Sequence, residues 1–359
     1  MTVDQGDVDA APGSPLAVDS LDMWGATMAL PEQIEAAVAA APKVSDLPLA
    51  ERVENVVVLG MGGSGIAGDV LVAAAAPFMP VPITVVKGYE PPDSVGTGSL
   101  VFAISFSGDT EETVEAAGSA FEAGASLIVV AGGGALAAMA GEWDVPLVPV
   151  PTTIPQPRAA LGAMAVPPLV LLEQIGLFPG ALQWVDQAVE QLRRRRDELA
   201  RPGNRAEEIA RRIGRTIPLV HSSQDLGAVA ALRWKAQINE NAKSPAFYNV
   251  YPELCHNELA GWGQQGDATR QLITLVNLRH DAEHPQVSRR FAFVEDVLRE
   301  VVADIVEVRA AGEGDLAQLL DLVLIGDVVS LYLAGNEGID PGPIPVLDEL
   351  KAYLGPGTP

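Results

Sequence analysis

The segment from Trp234 to Trp262 places a carboxylate, Glu240, and an imidazole, His256, in one asparagine-rich block flanked by aromatic residues. This mixture of polar and aromatic residues is typical neither of a buried core nor of a plain solvated surface. Carboxylates and imidazoles are the side chains that most often transfer protons in general acid–base catalysis. We therefore interpret the segment as part of a catalytic site.

Each of these residues also has a purely structural interpretation. Glu240 precedes Lys243 by three residues on a predicted helix, a spacing that permits a solvated ion pair. His256, taken alone, is better explained as a loop histidine that bonds to the backbone, and only the flanking Asn257 and Glu258 reverse this preference. Cys255 beside His256 suggests a thiol nucleophile, but neighbours on a loop usually point apart and nothing else indicates acyl transfer. We reject the thiol hypothesis.

Two segments upstream have the pattern of an anion-binding loop. The first is VVVLGMGGSG, which begins at Val56 and precedes a predicted helix. Glycines let backbone N–H groups close around an anion at a helix N-terminus, where the partial positive charge favours it. Both a dinucleotide and a phosphosugar fit this loop. A nicotinamide site needs an acidic residue at the end of the second strand, whereas that strand here ends in Lys87. The pattern therefore disfavours a dehydrogenase.

The second segment contains Ser105, Ser107 and Thr110, which lie where the strand SLVFAIS ends and a helix begins. Hydroxyl and free N–H groups at such a position are suited to bind a phosphate. The alternative is an ordinary helix cap, in which Thr110 or Asp109 caps the helix and Glu112 or Glu111 completes a capping box. Two such loops in one predicted domain favour phosphate binding.

The elements that position these loops predict an α/β fold with two doubly wound domains, each a parallel sheet flanked by helices. Over residues 50–178, apolar strands alternate with alanine-rich helices, which is typical of a parallel sheet covered on both faces. The same order restarts over 213–359, after an arginine-rich helical connector at 179–212. Residues 1–18 are predicted to be a disordered tail, and residues 19–49 a helical arm.

Composition argues against several classes of partner. The chain has 359 residues, with 23 Lys and Arg against 47 Asp and Glu, and its net charge of -24 repels nucleic acid and anionic lipid. The run Arg193 to Arg196 surrounds a predicted helix and so forms no single anion-binding face. The longest uncharged run, 123–141, contains three consecutive glycines and so predicts a buried strand and a turn, not a membrane span. With the single cysteine and the acidic N-terminus, this predicts a cytoplasmic protein that contacts no membrane.

Taken together, the motifs resemble a known family. A strand followed by GMGGSG and then ISFSGDTEET resembles the sugar isomerase (SIS) domain. The motifs ENAK, PE and HNE, with a C-terminal lysine, resemble the bifunctional phosphoglucose/phosphomannose isomerase family. This resemblance implies two SIS domains in each subunit of a homodimer. It also implies interconversion of glucose 6-phosphate and mannose 6-phosphate with fructose 6-phosphate, without a cofactor.

The resemblance implies roles for ten residues, which divide into a substrate-binding set and a catalytic set. The substrate-binding set would hold the phosphate through hydroxyl groups and approach the sugar through glycines, and it comprises Gly62, Gly63, Ser64, Ser105, Ser107 and Thr110. The catalytic set would transfer protons and stabilise charge, and it comprises Glu240, His256, Arg158 and Lys351.

Within the catalytic set, the resemblance makes Glu240 the base that moves a proton between C1 and C2 of the sugar through an enediol. Arg158 would stabilise the enediolate oxygen, while His256 or Lys351 would open the pyranose ring. Arg158 has the alternative of a surface ion pair. Lys351 has the alternative of covering apolar surface on an amphipathic C-terminal helix.

The sequence departs from many relatives at Phe106 and Asp109, where these carry Tyr and Asn. A carboxylate at position 109 would oppose phosphate binding unless it points away. Two other functions therefore stay open, a non-catalytic phosphosugar sensor and a nicotinamide-dependent oxidoreductase. His280 and His284 have the spacing of a zinc pair but lie in a polar loop, and we expect no metal.

Overall fold

The computed structural model describes residues 14–41, 45 and 47–354. Most of the predicted disordered tail, residues 1–13, lies outside the described residues. Residues 14–18 have no regular secondary structure, yet Leu16 is only 4% exposed and belongs to the main hydrophobic core. The chain therefore joins the core before its first helix begins.

The N-terminal arm consists of two short helices, α1 (Met23–Met28) and α2 (Leu30–Ala40). Pro31 lies at the start of α2, where its missing N–H costs nothing because the first turn of a helix has no acceptor for it. The buried side chains of Leu30 and Ile34 belong to the main core. The arm is thus an integral layer of the structure.

The first sheet is built from alternating strands and helices, as the sequence predicts. These elements are β1 (Asn55–Leu59), α3 (Gly62–Ala75), β2 (Ile83–Val86), β3 (Ser99–Ser105), α4 (Glu111–Glu122), β4 (Ser126–Ala131), α5 (Gly134–Glu142) and β5 (Leu147–Pro149). The strands pair in the order β2-β1-β3-β4-β5, and every pairing is parallel. The strand order reverses between β1 and β3, so the loops after these two strands border one crevice.

Three helices connect the first sheet to the second, namely α6 (Leu161–Ile175), α7 (Ala181–Leu199) and α8 (Arg205–Ile213). The arginine run lies on α7, and its side chains form ion pairs in several directions. Arg193 and Arg196 pair with Glu35 and Glu32 of the arm, at 2.7 and 2.6 Å. The run therefore ties the arm to the connector.

The second sheet repeats the architecture of the first. Its elements are β6 (Ile217–Ser223), α9 (Leu226–Asn241), β7 (Phe247–Tyr251), α10 (Gly266–Leu272), β8 (Ile273–Arg279), α11 (Pro285–Leu298), β9 (Asp304–Arg309), α12 (Asp315–Asn336) and α13 (Pro345–Leu354). The strands pair in parallel in the order β7-β6-β8-β9. The predicted α/β class with two parallel sheets is confirmed, while the exact domain limits stay a prediction.

Helix α12 is the centre of the molecule. It is the one helix among the described residues that is long and apolar enough to cross a membrane, with a mean hydropathy of 1.8, and its most apolar window is entirely buried inside the protein. It packs against α7, α8 and α9. Two buried carboxylates on it, Asp321 and Asp327, pair with Arg195 and Arg233, because an unpaired buried charge would be strongly destabilising.

Candidate active site

The first predicted anion-binding loop joins β1 to α3. Gly62 has a φ of +51°, which glycine adopts without the steric penalty of a side chain. A Cβ added to Gly63 would lie 3.1 Å from the carbonyl oxygen of Pro157, so this loop contacts the segment that carries Arg158. The Ser64 hydroxyl accepts from the N–H of Phe106 at 3.3 Å, which connects the first loop to the second.

The second loop is held together by its own hydroxyl groups. Ser105 Oγ and Thr110 Oγ1 lie 2.8 Å apart, and Ser105 Oγ accepts from the N–H of Gly108 at 3.0 Å. Ser107 Oγ accepts from the N–H of Asp109 at 3.2 Å. Thr110 is the N-cap residue of α4, but its side chain makes no capping hydrogen bond. The capping alternative therefore does not explain why hydroxyl groups gather here.

The carboxylate of Asp109 is engaged by the neighbouring loop. Its Oδ1 accepts from the N–H of Ala135 at 2.8 Å, in the first turn of α5. Gly134 precedes this contact with a φ of +65°. The departure from the common asparagine thus has a structural role, because the carboxylate links two loops at the carboxyl edge of the sheet.

Arg158 is presented by a short turn, Pro157–Ala159, and is only 3% exposed. Its Nη2 donates to the carbonyl oxygens of Pro341 and Gly342 at 2.5 and 2.6 Å, and its Nε donates to Asn241 Oδ1 at 2.7 Å. The surface ion-pair alternative is therefore wrong. The guanidinium is buried at the junction of three distant segments, which fixes its direction.

A carboxylate faces this fixed cation. Glu240, in the last turn of α9, has its Oε2 3.8 Å from Arg158 Nη1, and its side chain remains 32% exposed. Burial lowers the pKa of Arg158; Glu240 opposes this shift, and the nearby Arg233 adds to it. A positive charge that is costly to bury and only partly compensated is suited to attract further negative charge from a ligand.

A second buried arginine, Arg233, contacts the backbone of Arg158. Arg233 donates to the backbone carbonyl of Arg158 and forms a two-pronged ion pair with Asp327, at 2.9 and 2.7 Å. All three side chains are less than a tenth exposed. The backbone that carries Arg158 is therefore anchored on α12, the central helix.

Lys243 is a neighbour of this cluster that the sequence interpretation did not assign to the site. Its Nζ donates to the backbone carbonyls of Glu240 and Pro341, not to the carboxylate of Glu240 as the ion-pair alternative supposed. Its φ is +53°, which is unusual for a residue with a long side chain. Burial and the charge of Arg158 lower the pKa of Lys243 to about 8. The only sequence signal for this role is its place in the ENAK motif.

His256 is exposed and ends a short turn, Glu253–His256, that follows β7 and whose Leu254 is buried. Among the described residues, no hydrogen bond or ion pair joins it to Glu240 or Arg158. The following turn is fixed by Glu258, whose oxygens lie 2.8 Å from the buried His221 and 2.8 Å from the amide of Asn249. Glu258 therefore holds the segment that carries His256 against the sheet.

Lys351 lies near the end of α13, a helix with no buried residue. Within the described part of the chain it makes no hydrogen bond or ion pair with the cluster around Arg158. The helix exposes Val346, Leu350 and Tyr353, each at least half exposed. Of the four predicted catalytic residues, the structure thus brings Glu240 and Arg158 together, but not His256 or Lys351.

Comparison with known proteins decides the family. A family profile described as "Bacterial phospho-glucose isomerase C-terminal SIS domain" matches residues 203–354. A bifunctional phosphoglucose/phosphomannose isomerase from Caldicellulosiruptor bescii is 33% identical over 336 residues, which cover 92% of this chain and 98% of the relative. The chain belongs to the bifunctional phosphoglucose/phosphomannose isomerase family. A second member, from Aquifex aeolicus, is 35% identical over 84% of this chain and 90% of its own length.

Membership of this isomerase family is consistent with the fold. The C-terminal domain of glucosamine-fructose-6-phosphate aminotransferase from Francisella tularensis superposes with a TM-score of 0.66 at 16% identity, over 90% of this chain and 97% of that one. One further relative, a D-glucosamine-6-phosphate 4-epimerase from Sulfolobus acidocaldarius, is 32% identical over 64% of this chain and 71% of its own length.

The residues on which the oxidoreductase, thiol and zinc alternatives depend have other contacts in the structure. Lys87 pairs with Asp69. Burial raises the pKa of Cys255, which disfavours the reactive thiolate. His284 accepts the N–H of Gln286 at the start of α11, and His280 contacts Ser223. Among the described residues, no group of three or more His, Cys, Asp or Glu is arranged to hold a metal.

Proposed function

We propose that this protein interconverts glucose 6-phosphate and mannose 6-phosphate with fructose 6-phosphate through an enediol intermediate. The observation that carries the proposal is the approach of Glu240 to the buried Arg158, at 3.8 Å, beside the loop of Gly63. An isomerase needs a base and a fixed cation next to a phosphate site, whereas a sensor needs only the phosphate site.

In this proposal the sugar phosphate binds in the crevice between β1 and β3. The hydroxyl groups of Ser64, Ser105, Ser107 and Thr110 and the N–H groups at the start of α3 and α4 bind the phosphate. The sugar then extends past Gly62 and Gly63 towards the end of α9. The open side of Glu240, which is 32% exposed, lets its carboxylate reach the substrate.

Glu240 removes the proton at C2 of the aldose, and its carboxyl group exchanges that proton with solvent through its exposed side. Glu240 then protonates C1 while the hydroxyl proton moves from O2 to O1, which yields the ketose, and the reverse sequence yields either aldose epimer. Negative charge develops on the oxygen of the enediolate, and Arg158 stabilises it at low cost because its position is fixed before the substrate arrives. A base that acts on both epimers needs a pocket that tolerates both positions of the C2 proton.

Ring opening requires another acid–base group, for which we retain His256 and Lys351. Because neither contacts the Glu240 cluster within the described part of the chain, we propose that the protein is a homodimer in which a second copy completes the site. Two exposed aromatic residues, Phe247 and Tyr248 at 56% and 40% exposure, lie on the edge strand β7 immediately before the segment of His256.

We also propose a cytoplasmic location, since the lone Cys255 forms no internal disulfide.

The direct test is an assay with fructose 6-phosphate that measures the formation of glucose 6-phosphate and mannose 6-phosphate separately. We expect both products from the wild type, and a rate about 10²- to 10⁴-fold lower for Glu240→Gln. Glu190→Gln, an exposed glutamate on α7, is the matched control and should retain full activity. A wild type that binds fructose 6-phosphate without turnover would indicate the sensor, and full activity of Glu240→Gln would mean that the base is misassigned.

A further inference from the structure

The two sheets have the same strand order around their first strand. In the first sheet β1 lies between β2 and β3, and in the second β6 lies between β7 and β8. The helices that follow these two central strands, α3 and α9, pack against each other. Ligands of open parallel sheets bind at the carboxyl ends of the strands where the order reverses. The fold therefore contains a second crevice, between β6 and β8, equivalent to the proposed substrate crevice.

Each crevice is lined partly by a helix from the other half of the chain. At the first, the end of α9 supplies Glu240. At the second, Ala73 of α3 and Pro77 just after it face the loops that follow β6 and β8, and together they enclose a cavity of about 540 Å³. Helix α3 contributes Ala73 and no carboxylate to the lining of the second crevice, so it supplies no base there as α9 supplies Glu240 at the first.

A buried histidine with unused hydrogen-bonding capacity lines this cavity. His280 is 7% exposed, its Nε2 contacts Ser223 Oγ, and its Nδ1 has no hydrogen-bond partner among the described residues. Burial lowers the pKa of His280, although Glu283, Asp315 and Asp225 oppose the shift. A neutral imidazole offers one donor and one acceptor, and an unsatisfied buried polar group of this kind is destabilising when no ligand is bound.

The charges of the second crevice disfavour a phosphate. The loop after β8 already contains an anion, because the Glu283 carboxylate accepts from the N–H of His280 at 3.0 Å and from Arg279 at 2.7 Å. Glu283 thus occupies the position at the start of a helix where the first crevice gathers hydroxyl groups. Asp225 precedes α9 and adds a second negative charge. Arg279 compensates the charge of Glu283, so a phosphate in this crevice would be repelled mainly by Asp225 and Asp315, which outnumber the lining arginine, Arg290.

The same lining suits a hydroxyl-rich molecule without charge. Asp225 and Asp315 have no hydrogen-bond or ion-pair partner within the described residues, so both can accept from a ligand. Gln224, Gln286 and Arg290 line the cavity as donors. A hydroxyl group can both donate and accept a hydrogen bond. A polyol therefore fits a cavity lining that contains both donor and acceptor side chains.

We propose that the crevice between β6 and β8 is a second binding site, which takes an uncharged polyol of the size of a free hexose and does not convert it. The site is independent of the proposed isomerase activity, because it shares no residue with the cluster of Glu240 and Arg158.

Saturation-transfer difference NMR on the full-length protein tests this, with D-glucose as the probe and excess fructose 6-phosphate present to fill the first crevice. We expect glucose signals to persist under these conditions. Asp225→Asn, which keeps the size and shape of the side chain, should weaken glucose binding about tenfold, the effect of losing one hydrogen bond to a charged group. Gln224→Trp should abolish it by filling the cavity.

Asp93→Asn, an exposed carboxylate of the first domain, is the matched control and should bind glucose as the wild type does. The turnover of fructose 6-phosphate should be unchanged in Asp225→Asn and Gln224→Trp, which separates this site from the proposed function. Loss of the glucose signal on adding fructose 6-phosphate would overturn the proposal. So would wild-type glucose binding in both variants, or two molecules of fructose 6-phosphate bound per chain in calorimetry.

Discussion

Arg158 and Glu240 face each other at 3.8 Å, although Arg158 follows the first sheet and Glu240 ends a helix of the second. The arginine is held by two backbone carbonyls and one amide, while the glutamate is free on its solvent side. A fixed cation beside a partly exposed carboxylate suits proton transfer with charge development at a neighbouring oxygen.

Replacing Arg158 by lysine keeps the charge but removes the planar group that reaches Pro341, Gly342 and Asn241 at once. We expect kcat/KM for fructose 6-phosphate to fall about 10²- to 10³-fold, mainly through kcat, because a misplaced cation no longer meets the enediolate oxygen. Steady-state kinetics measure this. Arg215→Lys, on an arginine that is 87% exposed, is the control; an equal loss there would discount the geometric argument.

The support beneath Arg158 should matter for stability as well as for catalysis. Asp327→Asn leaves Arg233 buried without its counter-charge, and we expect urea unfolding to show a loss of about 3–5 kcal/mol. The double change Arg233→Met with Asp327→Leu removes both charges and should recover part of that stability while leaving activity low. If the double variant were as active as the wild type, the anchoring of Arg158 through Arg233 would have no catalytic value.

Lys243 should cause kcat to fall at alkaline pH. Its pKa is lowered to about 8, so it is protonated below that pH and neutral above it. If its positive charge helps Arg158 to stabilise the enediolate, kcat should fall as the pH rises through about 8. Lys243→Arg should keep kcat constant over this range, and Lys243→Met should be slow at every pH. A wild-type profile without a step near pH 8 would exclude this role.

Glu258 should contribute stability that depends on pH. Burial would raise its pKa, but contacts with His221, Asn249 and Trp262 outweigh burial and hold the pKa below the ordinary value of 4.5. A carboxylate whose folded pKa is depressed stabilises the fold fully above its unfolded pKa, and this contribution is lost as the pH falls through the folded pKa. The difference in unfolding free energy between wild type and Glu258→Gln should therefore shrink below about pH 4.5. A difference that stays constant down to pH 3 would contradict the assignment.

The parts of the site that follow from local sequence could be predicted, and the parts that depend on distant contacts could not. The loops after β1 and β3 are recognisable because strand, glycine or serine, and helix follow one another along the chain. The partners of Arg158 at Pro341 and Gly342 are more than 180 residues away, so nothing near Arg158 in the sequence indicates that it is buried.

In the fold as well, features set by local sequence could be predicted, while features set by distant contacts could not. Both parallel sheets were predictable from the alternation of apolar strands and helices. The strand β7 was missed, because its residues Phe247–Tyr251 mix exposed aromatic and polar side chains, as an edge strand permits. The role of Lys243 was missed because its contacts depend on a left-handed backbone at the end of α9, which no residue type signals.

The transfer of a proton by Glu240 is tested most directly by isomerising fructose 6-phosphate in D₂O and following deuterium at C2 of the aldose products by NMR. We predict that the wild type incorporates deuterium at C2 of both glucose 6-phosphate and mannose 6-phosphate. Glu240→Gln should bind fructose 6-phosphate as tightly as the wild type but incorporate no deuterium on the same time scale. Wild-type incorporation by Glu240→Gln, or products of the wild type without deuterium, would contradict the account.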